Sequence, residues 1–254
     1  VTTVFVLTDF GLSDTYCGQM KAAFLSVLPD TAFVDLTASV RPGDIAGGAF
    51  HLMVSSPWIP AGAGVLAVVD PGVGTARRGL LCRRSGVLYS GPDNGLLGWV
   101  GAGEFRELPA PPAGSSATFH GRDVFAPWLA RAMKDPAVVS SLPQVDPATI
   151  EVLDRPAPSR EGRFLSAVVA SVDSFGNCIL WLSRSHLEGV RPISAATPAG
   201  VFPVDTARAY DRPGLLLLPG GSGLLELAVA GGSAADLTGL GPGDGITLEL
   251  EPRA

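Results

Sequence analysis

The spacing of hydrophobic and polar positions changes repeatedly along the 254 residues, and each change predicts an element. Residues 4–8 form a compact apolar run with β-branched members and read as a strand, and residues 9–14 read as a loop. From residue 16 to 28 the apolar positions Met20, Phe24, Val27 and Leu28 recur at helical spacing, and Pro29-Asp30 stops the helix. A second strand is predicted over 32–36, a second helix over 44–54 and a third strand over 64–69. Apolar strands alternating with helices predict a mostly parallel sheet covered on both faces. Residues 80–84 and 87–90 read as a hairpin that turns at Ser85-Gly86.

The texture changes after Glu107. Residues 108–116 are rich in Pro, Gly and Ser, and 124–133 predict a helix. Residues 143–163 carry four prolines and many charges, and read as a linker over the surface. Beyond it every periodic segment is strand-like: 166–172, 178–182, 215–218, 224–229 and 246–250. Short strands separated by Gly turns predict a small barrel or sandwich. The expected organisation is an α/β domain over residues 1–155, followed by a small all-β domain over 156–254.

Composition narrows the possible partners. Hydrophobic residues make up 46% and charged residues 17%, a globular balance, and Gly 32 with Pro 22 demands many turns. Lys21 and Lys134 are the only lysines among 18 basic residues, a bias that suggests a GC-rich genome rather than a function. The net charge of −6 offers no basic face to nucleic acid. No apolar run reaches the roughly 18 residues of a membrane span. The first ten residues lack the positive region and cleavage pattern of a signal peptide, so a cytoplasmic protein is expected. Cys17, Cys82 and Cys178 are widely spaced, which argues against a disulfide scaffold and against structural zinc.

Candidate chemistry begins where strands end. Asp9 and Asp70 each follow a predicted parallel strand, at the edge where open α/β sheets bind ligands. Either could simply cap the next turn. Two on neighbouring strands favour one site. Gly72 and Gly74 suggest a dinucleotide loop, but Arg77 stands where its third glycine belongs and a hairpin replaces the helix. That loop could instead return Arg77 towards Asp70. His51 lies in an apolar helix and His186 among polar loop residues, both structural readings. His120 precedes a helix beside Gly121, and with Asp70 and Arg77 could position a water. In the second half, residues 173–177 interrupt two strands. They read as a hairpin turn, or as one in which Asn177 presents its amide to a base edge. Residues 219–223 are a plain turn or a backbone nest for a carboxylate.

Taken together, Thr8-Asp-Phe-Gly11 with Asp14 and Gly18-Gln-Met-Lys21, Val68-Val-Asp-Pro-Gly-Val-Gly74, Pro92-Asp-Asn-Gly95, Phe119-His-Gly-Arg-Asp123 and Asp173-Ser-Phe-Gly-Asn177 resemble one family in its own motif order. It is the S-adenosyl-L-methionine (SAM) hydroxide adenosyltransferase family, related to the fluorinating and chlorinating enzymes. The resemblance spans essentially the whole chain. It implies an α/β domain, a C-terminal β-barrel and a homotrimer with SAM bound between subunits. SAM plus water would give adenosine and L-methionine, with SAM as substrate and no cofactor or metal.

The resemblance places Asp70, Arg77 and His120 around the attacking water. It puts Asp9 on the ribose hydroxyls, and Asp14 and Asp173 near the methionine ammonium. Asn177 would read the adenine edge, Tyr210 would stack on it, and Ser222, Glu226 and Val229 would complete the pocket from a neighbouring subunit. The halogenases lack an acidic residue where Asp70 stands, and a carboxylate repels halide, so water is the expected nucleophile. Two positions depart from the family: Gly220-Gly221 replaces polar side chains, and Tyr16 replaces a small hydroxyl residue of the halogenases. The competing readings are a SAM-dependent halogenase, a non-catalytic adenosine or SAM sensor, and a metal hydrolase built on Asp9, Asp14 and Asp70.

Overall fold

A computed structural model describes residues 2–253, and the chain divides into two units between Leu153 and Asp154. The first unit contains, in order, β1 (Thr2–Thr8), α1 (Tyr16–Leu25), β2 (Thr31–Thr37), α2 (Ile45–Ser55), β3 (Gly64–Val68), β4 (Gly79–Arg84), β5 (Val87–Pro92), β6 (Glu104–Glu107), α3 (Ala126–Lys134), α4 (Pro136–Ser141) and β7 (Gln144–Val145). The sheet order is β2-β1-β3-β5-β4-β6-β7. β3 is buried along its whole length because both faces are covered. Leu66 and Val68 face a core with Met20 and Phe24 of α1 and Leu129 of α3, while Val65 and Ala67 face one with Leu52 of α2. Period-two alternation on a two-sided strand therefore produces the apolar run seen in sequence.

The expectation of a mostly parallel sheet is not met. Only β2, β1, β3 and β5 run parallel, and β4, β6 and β7 are added antiparallel, so the sheet is mixed. The cause is the two-residue turn at Ser85 and Gly86, both with positive φ, which reverses the chain directly. The segment 143–163 also differs from a plain linker. Its start forms β7 on the sheet edge, and Trp99 Nε1 donates to the Leu153 carbonyl at 2.8 Å.

The second unit contains β8 (Ser159–Glu161), β9 (Phe164–Val172), β10 (Cys178–Leu180), β11 (Val190–Thr197), β12 (Gly200–Thr206), β13 (Leu215–Pro219), β14 (Leu225–Val229), α5 (Ala234–Thr238) and β15 (Gly245–Pro252). The ring β9-β10-β14-β13-β12-β11-β15 closes on itself as a seven-stranded barrel, with β8 paired to the first half of β9. Closure removes the free edges that an open sheet would leave. Leu165, Val169, Leu180, Leu217, Leu227 and Leu248 fill its interior. β11 and β12 are not among the strands predicted from sequence; each carries a proline, Pro192 and Pro203, which weakens a local strand pattern. Cys178 packs inside this core and Cys82 inside the first unit's, where burial pushes their thiols up to about 11 and about 12.

Candidate active site

β1 and β3 are parallel neighbours with Thr8 opposite Val68, so Asp9 and Asp70 leave the sheet at one edge. After Asp70 the chain makes tight turns: the Val73 amide donates to the Asp70 carbonyl at 3.2 Å, and Thr75 Oγ1 to the Gly72 carbonyl at 2.7 Å. Gly74 is held at φ +80°, and a Cβ there would lie 2.5 Å from the Ala117 carbonyl oxygen. Only glycine fits that backbone and that approach. The turns bring Arg77 back onto Asp70. Its Nε donates to Asp70 Oδ1 at 2.8 Å, and its Nη2 donates to Asp70 Oδ2, completing a two-pronged ion pair. The side chains are only 5% and 11% exposed, so little solvent screens them.

The same Nη2 lies 3.1 Å from His120 Nδ1. Guanidinium has no acceptor, so Nδ1 accepts and a neutral His120 carries its proton on Nε2. Burial lowers the His120 pKa, and the Arg77 charge lowers it further; Asp70 and Asp123 oppose them only partly. His120 itself precedes a π-helical turn over Gly121–Phe125 that leads into α3. Inserted π turns often aim side chains at functional sites.

A cavity of about 670 Å³ is lined by Asp9, Asp14, Asp70 and His120, together with the rings of Phe10, Tyr16 and Phe119. Asp9 Oδ2 accepts from the Gly43 amide at 2.8 Å, which fixes that carboxylate at the cavity wall. Arg122 forks onto Asp123, and Asp123 Oδ2 also accepts from the Ser116 amide at 2.7 Å. Those bonds hold Asp123 below the usual carboxylate range and anchor the loop before His120. Pro92-Asp-Asn-Gly95 acts as a brace. Asp93 pairs with Arg78 and accepts from the Glu151 amide, while Asn94 Nδ2 donates to the Val69 carbonyl at 2.9 Å, beside Asp70. Among the described residues, no group of three His, Cys, Asp or Glu side chains is placed to hold a metal ion.

The barrel unit carries its own polar cluster. Asp173 Oδ1 accepts from the amides of Phe175 and Asn177, both at 2.9 Å, and Oδ2 accepts from Asn177 Nδ2 at 2.9 Å. Both oxygens thus brace the turn between β9 and β10, where Gly176 at φ +80° allows the close pass by Ser233. Asn177 Nδ2 also reaches the Tyr210 hydroxyl at 3.4 Å. That hydroxyl donates to buried Glu226 at 2.5 Å, a bond that with burial pushes the phenol up to about 12. Asn177, Tyr210 and Val229 line a second cavity of about 560 Å³. Asp173 and Glu226 orient that wall from behind. Ser222 lies in the turn after β13, where its Oγ accepts from the Leu224 amide at 3.4 Å. His51 is held within α2 against Phe50, and His186 caps the turn at Ser183.

The grouping of Asp9, Asp70, Arg77 and His120 follows from the strand-end positions and the glycine loop. The aromatic wall was not legible as a unit: Phe10 and Phe119 stand inside quoted motifs and Tyr16 is a noted departure, but the three come from separate segments and nothing in their spacing brings them together.

The chain thus joins a mixed α/β unit, with a carboxylate–guanidinium–imidazole cluster at its strand ends, to a closed barrel with a cavity beside Asn177 and Tyr210. Residues 4–140 match the model of the SAM hydroxide adenosyltransferase N-terminal domain, and 167–247 that of its C-terminal domain. The chain is 39% identical over 252 residues to a Salinispora tropica protein named (R)-S-adenosyl-L-methionine hydrolase, covering 95% of each. A Thermus thermophilus protein of the same name is 37% identical, covering 96% of this chain and 98% of that one. A fluorinase from Actinoplanes sp. is 26% identical over 72% of each chain. The crystal structure of an uncharacterized conserved protein from Thermotoga maritima matches with a TM-score of 0.88 at 29% identity, covering 96% of this chain and 99% of that one. The chain belongs to the SAM hydroxide adenosyltransferase family.

Proposed function

We propose that this protein is a SAM hydrolase that attacks the ribose C5′ with water and releases adenosine and L-methionine. The observation that carries this reading is the buried Asp70–Arg77–His120 cluster, whose Asp70 and His120 line a cavity at the ends of the central strands. The leaving group is a neutral thioether, so it needs no acid. The nucleophile needs the help, because the pKa of bulk water is about 15.7. Neutral His120 donates from Nε2 to the water oxygen, and Asp70 accepts one water proton on a lone pair that Arg77 leaves free. Arg77 holds both partners and offsets charge as the oxygen becomes anionic. The new C5′–O bond forms as the C5′–S pair leaves on sulfur; the second water proton stays on the 5′ hydroxyl of adenosine, and Asp70 passes the proton it took to solvent. None of these steps uses a metal or cofactor.

Substrate roles follow the family resemblance. Asp9 takes the ribose hydroxyls, Asp14 and Asp173 lie towards the methionine ammonium, and Asn177 reads the adenine edge with Tyr210 stacked on it. Asn177, Tyr210, Glu226 and Val229 belong to one cluster of the barrel, and with Ser222 they supply the adenine side as a set, from a neighbouring copy in a homotrimer. The Salinispora and Thermus relatives are named for the (R) form of SAM, and the same preference is proposed here. Among the described residues no helix is long and apolar enough to cross a membrane, in line with a small-molecule enzyme acting in the cytoplasm.

The halogenase reading is disfavoured by Asp70, whose carboxylate lies at the cavity wall where halide would sit. Metal-stripped protein should convert SAM to equal amounts of adenosine and methionine, followed by chromatography, and should give no 5′-halo product in added chloride or fluoride. A halogenated nucleoside would overturn the assignment of water as nucleophile. Intact SAM with retained adenosine binding would point to a sensor instead.

A further inference from the structure

The substrate carries a positive charge that no hydrogen bond can satisfy. A sulfonium has no N–H or O–H, so the cavity can meet it only with an anion or with an aromatic face. Asp70 is already paired with Arg77, Asp9 is tied to the Gly43 amide and assigned to the ribose hydroxyls, and Asp14 on the same wall is assigned to the methionine ammonium. Three rings from separate segments line the same cavity. Phe10 lies 5.9 Å from Tyr16 and 5.7 Å from Phe119, and Tyr16 lies 5.2 Å from Phe119 at 89°. Two of these contacts are edge-to-face and the third is tilted, so the rings form a cluster without stacking face to face. One face already holds a cation: the Arg122 guanidinium carbon sits 4.9 Å from the Phe119 centroid. Tyr16 is 48% exposed at the cavity, although a large aromatic side chain tends to be buried.

We propose that Tyr16, supported by Phe10 and Phe119, is the specificity-determining wall that receives the sulfonium and distinguishes SAM from neutral thioether nucleosides. This rests on the SAM-hydrolase reading and extends it to the reacting sulfur. The chemistry favours a ring over a carboxylate at that position. Sulfur loses its charge as the C5′–S bond breaks, so a strong ion pair there would hold back the ground state more than the transition state. A ring face attracts the cation modestly and releases methionine once the sulfur is neutral. Tyr16 therefore contributes to substrate affinity and product release, not to the bond-making step.

The test compares SAM with S-adenosyl-L-homocysteine, the neutral thioether that lacks only the S-methyl group. In wild-type enzyme KM and thioether inhibition should favour SAM by about 3- to 30-fold. Tyr16→Leu should raise KM, leave kcat equal or higher, and bring the two affinities within about twofold, while free adenosine binding is unchanged. Tyr16→Phe keeps the ring and should keep the discrimination. Phe10→Leu should reduce it in part, as a second probe if Tyr16→Leu fails to fold. Discrimination that survives Tyr16→Leu, or that is lost equally in Tyr16→Phe, would overturn the proposal, the latter assigning Tyr16 to hydrogen bonding. Wild-type protein that leaves SAM intact would overturn the hydrolase reading itself; that result is distinct from unaltered discrimination in an active Tyr16 variant.

Discussion

One guanidinium joins the two groups that the reaction needs together. Removing either partner of the Asp70–Arg77 pair leaves the other charged, buried and without its counter-ion. Asp70→Asn and His120→Ala should each lower kcat by at least about 100-fold while adenosine affinity stays within threefold. Turnover within threefold of wild type would remove these residues from the mechanism. Acidity tests the same contact. Protonation of Nδ1 would break the bond from Arg77, and the His120 pKa lies below the ordinary histidine value of about 6.5. An unfolded chain therefore takes up this proton first. The stability linked to His120 is complete above about 6.5 and is lost as pH falls from there through the folded value. NMR titration of the His120 ring should give a midpoint below 6.5, and a midpoint at or above it would contradict the geometry. At the second cavity, Asn177→Ala should weaken adenosine binding about tenfold, read by calorimetry, with little change in kcat. Asp70, Arg77 and His120 were named together from a strand end and a glycine loop, whereas Asn177 reads locally as a turn residue and takes its substrate role only from the family resemblance. Asp173 illustrates the limit: its turn-bracing bonds depend on a backbone path that spacing does not reveal.

At the scale of elements, loops fix the chemistry and strands fix the loops. β3 points Asp70 out of the sheet edge, and the turns through Gly74 determine whether Arg77 comes back to it. Gly74→Ala would place a Cβ against the Ala117 carbonyl in the segment leading to Phe119 and His120, at a φ that alanine adopts only with strain. It should cost about 1–3 kcal/mol in urea unfolding and lower kcat as well. A loss under about 0.5 kcal/mol would mean the loop relaxes freely. The early elements were legible because β1 and β3 are compact apolar runs, and α1 sets Met20 and Phe24 at helical spacing before Pro29. The sheet's direction was less so. The Ser85-Gly86 hairpin declares one antiparallel pair, but β6 (EFRE) is short and charged, and β7 is two residues long. Their pairing is decided by tertiary contacts along β4 and β6, which a local pattern does not contain.

At the scale of the whole molecule, the acidic, turn-rich chain builds a core on each face of the first unit's sheet and a third inside the barrel. A net charge of −6 suits a small cationic substrate better than a polyanion. The proposed trimer should sediment at three times 26.1 kDa, and a monomer that hydrolyses SAM at full rate would contradict a site completed by a neighbour. The most direct measurement is single-enzyme turnover of SAM in ¹⁸O-water, with products resolved by mass spectrometry. Water attack at C5′ requires ¹⁸O in the 5′ hydroxyl of adenosine and none in methionine. Adenosine without the label, or SAM returned intact, would contradict it.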